Sequence, residues 1–464
     1  MTPGKGPQDR FPGRAVVLGA SMAGLAAARV LSDYFDEVVL VERDPLPDSD
    51  EARKGVPQGR QLHVLLRGGE LQFERLFPGL TASLLARGAL QLDASGDFRW
   101  HHFGVDKVRF TCGVTVTMMT RPFFEQEVRR RVMSLPNVKV CDQRDVLGLL
   151  ASPDGKAVVG VQLRQRGVAA APESSDASEE IRAELVIDAC GRGSATPRWL
   201  SGLGLSSPPE TKIRVDVAYS TRFYRPPSPE HLPPYRSLYI VGTPPHGKRM
   251  GIITPVEGGR WMALVAGMLG DQPPTDPEGF LAFSQGLPVD EMHRLLSLAE
   301  PISDIYSYKF PANLRRHYER MADFPDGLLV LGDSHCSFNP IYGQGMTIAA
   351  LGAVELGACL SEQRRQGAGS LRGLSRRFQA RLAKIVDTPW MMATGEDLRF
   401  PEIEAKRPLG YSGMKWFLGR LHQAVAHDRV LALNFLRVLH MLEPPTKLFE
   451  PQLLWRVLAG GVAG

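Results

Sequence analysis

The chain has 464 residues, with a hydrophobic content of 43% and a charged content of 23%; these values are typical of a soluble globular protein with two or three domains. The net charge of +5 is small for this length and argues against a dedicated nucleic-acid binder. The polar, Pro- and Gly-rich start has no apolar signal core. We find no uninterrupted apolar run long enough to span a bilayer, and we expect a cytoplasmic protein.

The cysteines are too widely spaced for a recognisable metal or redox motif, and none forms a CxxC pair. Their odd number and spacing predict reduced thiols rather than a disulfide framework, and no metal site is expected. The five residues are Cys112, Cys141, Cys190, Cys336 and Cys359.

Residues 14–44 predict the strand–turn–helix–strand unit of a dinucleotide-binding fold. An apolar run leads into the turn GASMAG at 19–24, a small-residue helical run follows, and a second apolar run ends on Glu42. Gly19 allows a sharp turn, and Gly24 lets the helix pack closely on the strand. The helix N-terminus offers free N–H groups to phosphates, and the Glu42 carboxylate is placed to accept hydrogen bonds from ribose hydroxyls.

The segment after Glu42 also carries features that suit a dinucleotide site. The basic loop RKGVPQGRQLH at 53–63 predicts a segment that covers a negatively charged cofactor, although a solvated turn is the alternative. A helix is expected around 65–77. Apolar and polar side chains alternate along 80–119, which also contains aromatic residues, and this pattern predicts strands of a second layer. Thr120-Arg121-Pro122 predicts the start of a helix that reaches 133, with Arg121 placed to reach a phosphate.

The middle of the chain contains three short apolar runs that predict strands at 138–140, 145–150 and 157–163, the last two joined as a hairpin. The polar segment 169–180 predicts a flexible loop. A buried strand then ends on Asp188, which either anchors the following glycine turn by local hydrogen bonds or contacts a ligand; we favour the structural role.

A second, mostly antiparallel sheet is predicted between residues 213 and 268, where strand-like runs alternate with Pro/Gly turns. Four aromatic residues in or beside these strands are candidates for the roof of an apolar pocket, although core packing is their first interpretation. They are Phe223, Tyr224, Tyr239 and Trp261. Helix is expected at 277–299, and 305–310 returns to the first domain.

The second diagnostic segment is 327–347, which reads GLLVLGDSHCSFNPIYGQGMT. A buried strand ends on Asp333, two glycines follow at Gly343 and Gly345, and a helix begins near Met346. Its N-terminus would direct a partial positive charge at a bound group. We interpret His335 as structural rather than catalytic. The tail from residue 371 predicts helices whose apolar stripes are core packing, with peripheral membrane contact as the alternative.

Together these motifs resemble the FAD-dependent monooxygenases of the aromatic-hydroxylase and squalene-epoxidase type, and most closely the bacterial epoxidases and tailoring oxygenases of secondary metabolism. The resemblance implies a Rossmann-like α/β FAD-binding domain (1–80, 110–210 and 305–365), an inserted mostly antiparallel substrate domain (81–109 and 211–304) and a helical C-terminal region (366–464). The cofactor-binding residues that the two motifs and this resemblance predict are Gly19, Ser21, Met22, Ala23, Gly24, Glu42, Arg43, Arg53, Arg121, Val146, Asp333, Pro340, Gly343, Gly345 and Met346.

The sequence departs from the family pattern in two places. Ser21 replaces the usual middle glycine, although it is small enough for a pyrophosphate to approach, and the Asp-Gly pair of many hydroxylases is Asp188-Ala189 here. In the family that pair is linked to both FAD and NADPH, so direct NADPH use is an open question. The Trp-x-Trp-x-x-Pro signature of flavin halogenases is absent, which argues against halogenation.

The resemblance implies transfer of one oxygen atom from a flavin C4a-hydroperoxide to a lipophilic secondary metabolite such as a polyene or polyketide, by epoxidation or hydroxylation. O₂ and FAD are the implied co-reactants, and either transient NAD(P)H or a separate flavin reductase supplies electrons. No catalytic side chain is assigned, because such oxygen transfer needs no nucleophile or metal. The alternatives are a redox-neutral FAD-bound cyclase and an isoprenoid-type flavin reductase.

Overall fold

The computed structural model describes residues 10–167, 178–366 and 369–459. The strands are β1 (Phe11–Leu18), β2 (Phe35–Val41), β3 (Leu90–Asp93), β4 (Phe98–His102), β5 (Val105–Asp106), β6 (Thr115–Met118), β7 (Val138–Cys141), β8 (Arg144–Ala151), β9 (Val158–Gln165), β10 (Ser178–Arg182), β11 (Leu185–Asp188), β12 (Glu210–Arg225), β13 (Ser237–Val241), β14 (Arg249–Val256), β15 (Arg260–Gly267), β16 (Glu300–Pro301), β17 (Tyr306–Arg316), β18 (Leu328–Val330) and β19 (Cys336–Ser337). The α-helices are α1 (Met22–Leu31), α2 (Arg67–Leu76), α3 (Leu80–Ala86), α4 (Arg121–Met133), α5 (Thr196–Gly202), α6 (Pro277–Gln285), α7 (Glu291–Leu298), α8 (Gly345–Arg365), α9 (Leu374–Asp397), α10 (Tyr411–Ala424), α11 (Arg429–Leu439) and α12 (Pro451–Ala459).

A five-stranded parallel sheet in the order β18-β11-β1-β2-β7 forms the centre of the first domain. The side chains of β1 alternate between two cores: Ala15 and Val17 pack with α1 and α8, whereas Val16 and Leu18 pack toward the small β8–β10 sheet. Strands covered on both faces are continuously apolar, which explains the pattern of β1. The predicted Rossmann-like α/β class is confirmed.

The expected hairpin between β8 and β9 is confirmed by their antiparallel register. The loop predicted at 169–180 falls mostly on 168–177, outside the described residues. Its last three residues belong to β10, which pairs with β9, so the loop prediction is wrong there because backbone pairing overrides polar composition.

The second sheet has nine strands in the path β19-β17-β12-β15-β14-β13-β4-β5, with β16 beside β12. Most of its ladders are antiparallel, as predicted, but β4 pairs with β13 in parallel. Segment 80–119 supplies β4 and β5 to this sheet, yet its first residues form helix α3, so the all-strand prediction is wrong there.

Different parts of the chain pack on the two faces of the nine-stranded sheet. Tyr224 and Trp261 pack on the outer face against α6 and α7, whereas Tyr239 packs on the inner face with residues from the segment after α9. Two of the predicted roof residues therefore belong to the outer core. The period of two in a strand places successive side chains on opposite faces, and the sequence did not reveal which face would meet the cofactor domain.

The C-terminal region is helical, as expected. Helix α8 is, among the described helices, the one with the length and mean hydropathy of a candidate membrane span, which the search for apolar runs did not anticipate. Its residues Ile348, Ala353 and Leu356 belong to the main core beside α1. We therefore interpret α8 as a core helix, since buried core helices satisfy the same criterion.

We predict that Gly24→Ala destabilises the fold. A Cβ on Gly24 would lie 1.8 Å from the carbonyl oxygen of Gly19, so α1 would have to move away from the turn, at a cost of about 3 kcal/mol in the free energy of unfolding. Chemical denaturation measures this change. Gly202→Ala is the control, because a Cβ there meets no atom within 4 Å; equal stability of the two variants would contradict the prediction.

Candidate cofactor site

The turn between β1 and α1 is built around Gly19, which has a φ of +96° and donates its N–H to the Val41 carbonyl at 2.8 Å. The first bond of the helix runs from the Leu25 N–H to the Ser21 carbonyl at 2.8 Å. The N–H groups of Met22 and Ala23 precede that bond and form the open end of the helix. This end of α1 is therefore suited to an anionic group.

The Glu42 carboxylate at the end of β2 organises the same turn. It accepts the Ala20 N–H at 2.8 Å on one oxygen, and the N–H groups of Arg43 and Asp44 at 2.8 and 3.1 Å on the other. Arg53 approaches the first oxygen at 3.2 Å. Glu42 therefore connects the ends of β1 and β2 to the basic loop.

A buried ionic cluster lies beside the turn. Arg53 bonds Glu125 at 2.7 and 3.0 Å and donates to the Ala20 carbonyl at 3.0 Å. Arg121, at the start of α4, approaches Glu125 at 3.2 Å and donates to the Ser21 hydroxyl at 2.9 Å. Ser21 in turn donates to Glu125 at 3.1 Å. We call Arg53, Glu125 and Arg121 the arginine–glutamate cluster.

In the cluster, Glu125 and Arg53 each shift the pKa of the other toward its charged form. Burial raises the pKa of Glu125, but the guanidiniums of Arg121 and Arg53 outweigh it and leave that pKa below its ordinary value. Burial likewise lowers the pKa of Arg53, yet Glu125 and Glu42 bring it above its ordinary value. The cluster therefore keeps two cations beside the open end of α1 and one carboxylate between them.

The cluster has one unused donor beside the turn. Within the described part of the chain, Arg121 Nε is buried without a hydrogen-bond partner, whereas Arg53 Nη1 forms an ion pair with Glu42 at 3.2 Å. Buried donors normally have partners, so an unpaired guanidinium nitrogen beside a helix N-terminus fits the diphosphate of a dinucleotide such as FAD.

The second motif forms a loop on the carboxyl side of β18. The Asp333 side chain is solvent exposed, yet the surrounding protein raises its pKa by desolvation, against the effect of Arg121 and Arg192. A side chain that is both accessible and desolvated lies in a recess. The neighbouring Gly332 approaches Ala23, since a Cβ there would lie 2.7 Å from the Ala23 Cβ, so the recess adjoins the glycine turn.

The start of α8 is open. Gly343 has a φ of +66°, and Gly345 begins the helix in an exposed position where a Cβ would meet no atom within 4 Å. The neighbouring Gln344 side chain is buried, and its Oε1 has no hydrogen-bond partner among the described residues. Met346 and Arg121 together line a small pocket beside this helix start. Free space at a helix N-terminus can receive an electron-rich ring edge.

A buried polar network holds this loop. The Asp397 carboxylate of α9 accepts from Asn313 at 2.7 Å, from the side chain of Asn339 at 2.9 Å and from the Tyr342 hydroxyl at 3.0 Å. Tyr219 of β12 donates to the Asn339 side chain at 3.2 Å. We call these residues the loop network; it joins the loop to both the nine-stranded sheet and the C-terminal helices.

The remaining predicted residues lie farther from the arginine–glutamate cluster. The exposed Arg43 side chain donates to the Gly55 carbonyl at 3.2 Å, and Pro340 is exposed at the start of the loop. Val146 is half-buried in β8 and packs into the second core. The Arg144 N–H, two residues earlier, donates to the Glu42 carbonyl at 3.0 Å, so β8 borders the site by its backbone.

Two structural interpretations are resolved at this site. Asp188 is fully buried and accepts from the Cys190 N–H at 2.9 Å and the Thr196 hydroxyl at 2.7 Å, so its predicted role as the anchor of the turn is confirmed. His335 is buried, and desolvation lowers its pKa to about 3. Its ring is therefore neutral at neutral pH, and its lack of a catalytic role stays a prediction.

Sequence reasoning missed Glu125 and Asp397. Glu125 lies four residues after Arg121 on a helix that was predicted, so the i,i+4 spacing of opposite charges was an available signal. Asp397 lies more than fifty residues from Asn339 and on another element, and no local pattern connects them.

The fold is that of FAD-binding Rossmann-type flavoproteins, and its solved neighbours include FAD-dependent monooxygenases and halogenases. A flavoprotein/dehydrogenase from Cytophaga hutchinsonii aligns with a TM-score of 0.67 at 15% identity, over 97% of this chain and 98% of that one. PqsL, a probable FAD-dependent monooxygenase from Pseudomonas aeruginosa, aligns with a TM-score of 0.59 at 18% identity, over 84% of this chain and 97% of that one. CmlS, a flavin-dependent halogenase, aligns with a TM-score of 0.64 at 16% identity, over 92% of this chain and 76% of that one. The resemblance drawn from the motifs is confirmed by this fold.

The chain belongs to the same family as protein Rv3254 of Mycobacterium tuberculosis, to which it is 34% identical over 448 residues, 92% of this chain and 90% of the relative. No protein-family model matches the sequence.

We predict a pH-dependent effect of Asp397→Asn. Burial raises the pKa of Asp397 to about 6, against the three donors. The pKa of Asp397 is therefore higher in the folded protein than in the unfolded one. As pH rises from about 4 through about 6, the free energy of unfolding of the wild type should fall by about 3 kcal/mol relative to that of the variant. Urea unfolding of both proteins between pH 4 and 7.5 measures the difference.

The control for this experiment is Asp304→Asn, which changes an exposed carboxylate and should keep the wild-type profile. A constant difference between wild type and Asp397→Asn across this range would contradict the assigned titration.

Proposed function

We propose that this protein is an FAD-dependent oxidoreductase that uses O₂ to transfer one oxygen atom to a lipophilic small molecule. The observation that carries the proposal is the meeting of three features at one recess: the open end of α1, the buried cations Arg53 and Arg121 with the unpaired Nε of Arg121, and the free space at Gly345. Each fits a different part of FAD. The fold shared with FAD-dependent monooxygenases supports the same cofactor.

The residues have distinct roles in this proposal. The N–H groups of Met22 and Ala23, with Arg53 and Arg121, would hold the diphosphate. Glu42 would border the adenosine ribose, and Asp333 would border the ribityl chain. The α8 N-terminus, at Gly345, would face the pyrimidine edge of the flavin, where its dipole would stabilise negative charge. Bound FAD would supply the electron transfer and the reaction with O₂.

The inner face of the nine-stranded sheet supports an apolar substrate. It carries Val217, Ile252 and Leu264, and Ile341 of the loop packs against the same cluster. An apolar chamber beside the flavin would exclude water and orient the substrate, which is what the protein must contribute when the cofactor performs the chemistry. The missing Trp-x-Trp-x-x-Pro signature favours oxygen transfer over halogenation.

We predict that Gly345→Leu abolishes FAD binding without loss of stability. A side chain at this position meets no protein atom within 4 Å, but it would fill the space proposed for the flavin. The visible flavin absorbance of the purified protein and a reconstitution titration measure binding; thermal unfolding of the apoprotein measures stability.

The matched control is Gly413→Leu in α10, an exposed helical glycine that is equally free of neighbours. It should bind FAD as the wild type does. Normal FAD affinity in Gly345→Leu would refute the placement of the flavin at the start of α8.

The reaction class is tested with the reconstituted holoprotein. We expect anaerobic reduction by NADPH, by NADH or through an added flavin reductase, followed by O₂ uptake on aeration and a one-oxygen mass gain in a polyene or aromatic polyketide. The donor that bleaches the flavin identifies the electron supply. Conversion of such a substrate without any reductant or O₂ would instead establish a redox-neutral cyclase, and reduction of the substrate without oxygen gain would establish a reductase.

A further inference from the structure

Large apolar side chains are exposed in the C-terminal helices. Of the fourteen large apolar residues that are exposed in the described part of the chain, eight lie between Met391 and Leu458. Trp416 of α10 and Trp455 of α12 have 55% and 69% of their surface exposed. Single exposed apolar residues are ordinary, but a concentration that includes two tryptophans marks an interaction surface.

Four of these residues form one continuous surface. The Trp416 ring contacts Arg420, whose guanidinium carbon lies 5.3 Å from the ring centroid and whose Nη2 donates to the Leu458 carbonyl at 2.7 Å. Phe449 stacks on the phenylalanine that follows Trp416, with ring centroids 4.7 Å apart. Trp455 precedes Leu458 by three residues in α12, the spacing of neighbours on one helix face. We call Trp416, Phe449, Trp455 and Leu458 the tryptophan surface.

The tryptophan surface is distinct from the apolar stripes by which these helices pack together. The stripes are buried in a separate core, to which α10 contributes Phe417 and Leu421 and α12 contributes Leu453 and Val457. The expected core packing of the tail is therefore present, and the exposed tryptophans are additional to it. Because the outer face of a surface helix is ordinarily polar, this second apolar face requires a partner.

The charge around the tryptophan surface is positive. Residues 411–459 contain six Lys and Arg and three Asp and Glu. Each of these carboxylates forms an ion pair with a cation of the same segment. Among the described residues, neither Lys415 nor Arg420 forms an ion pair with a carboxylate, and both adjoin Trp416, one in the chain and one by ring contact. Tryptophan beside uncompensated cations is the composition that interfacial helices present to anionic lipids.

Helix α10 connects the tryptophan surface to the inner face of the nine-stranded sheet. Its first residue, Tyr411, packs against the apolar cluster that contains Val217 and Leu264. The Tyr411 hydroxyl donates to the Gly395 carbonyl of α9 at 3.3 Å. Trp416 lies five residues further along the same helix. One helix therefore borders both the cluster proposed as the substrate chamber and the tryptophan surface.

We propose that the tryptophan surface docks on an anionic lipid bilayer, with its apolar side chains at the boundary between headgroups and acyl chains and with Lys415 and Arg420 facing the lipid phosphates. Indole rings favour this boundary because they combine an apolar body with a polar N–H. The charge favours a bilayer over a second copy of this chain, since two identical positive surfaces repel each other.

The inference deepens the proposed function, because a lipophilic substrate partitions into the membrane and would be met there by the enzyme. It rests on the proposed function only for the identity of that substrate. Docking on the bilayer itself needs no turnover and can be measured without a substrate.

The test uses the full-length protein reconstituted with FAD and vesicles of phosphatidylcholine, with or without phosphatidylglycerol. We expect the protein to sediment with the anionic vesicles at least about tenfold more tightly than with the neutral ones. Added salt should weaken this binding because ions screen the attraction. The tryptophan emission should shift to the blue on binding, since Trp416 and Trp455 leave water.

The variant Trp416→Ser/Trp455→Ser should bind anionic vesicles at least about tenfold more weakly, whereas Leu232→Ser, which removes an exposed leucine elsewhere, should bind as the wild type does. Lys415→Glu should remove most of the preference for anionic vesicles, and Lys309→Glu, at an exposed lysine of the nine-stranded sheet, should keep it. Trp455→Ser alone changes a largely exposed side chain and serves as the second variant if the double variant does not fold.

Equal binding to the two kinds of vesicle, binding to neither, or binding that survives in Trp416→Ser/Trp455→Ser would overturn the proposal. A concentration-dependent dimer that this variant abolishes, without vesicle binding, would show instead that the surface joins two copies of the chain. Vesicle binding together with failure of oxygen transfer would refute the proposed reaction and leave the membrane surface standing. Oxygen transfer without vesicle binding would do the reverse.

Discussion

The architecture of the site depends on the buried arginine–glutamate cluster. The Arg53 guanidinium of the basic loop meets the Arg121 guanidinium and the Glu125 carboxylate of α4 beside the glycine turn, with Arg53–Glu125 and Arg121–Glu125 separations of 2.7 and 3.2 Å. Removing one member of a buried pair leaves an uncompensated charge, at a cost of about 3–5 kcal/mol. The cluster therefore fixes the basic loop and α4 against the end of β1, and it holds two cations where an anionic cofactor would need them.

The loop network performs the equivalent task at the other end of the recess. The loop that follows β19 contains no long element of its own, and its position is determined by hydrogen bonds to Asn313 in the sheet and Asp397 in α9. A fully satisfied buried network of this kind specifies one arrangement. It couples the loop after β19 to α9 and to the nine-stranded sheet, so the two sides of the recess share one support.

Much of the fold could be predicted because its signals are local. The GASMAG turn, the proline at the start of α4 and the hairpin between β8 and β9 each depend on a few neighbouring residues, and each forms as expected. The errors have equally definite causes. The start of segment 80–119 reads LTASLLA and forms a helix, as its Leu and Ala residues favour, although the segment was predicted as strands. Residues 178–180 pair with β9 as an edge strand despite their polar composition, and there contact with a distant segment outweighs propensity.

The sequence by itself determined the dinucleotide unit, the second glycine loop and the order of sheets and helices, because periodicity and turn chemistry act over a few residues. Only the tertiary structure decided which side chains meet. It brought Arg53 of the basic loop to Glu125, placed Asp397 against the loop after β19 and turned Tyr224 and Trp261 to the outer face. It also enclosed Lys107 between β4 and α11. These arrangements join residues far apart in the chain, and their formation depends on how whole elements pack, which no local pattern encodes.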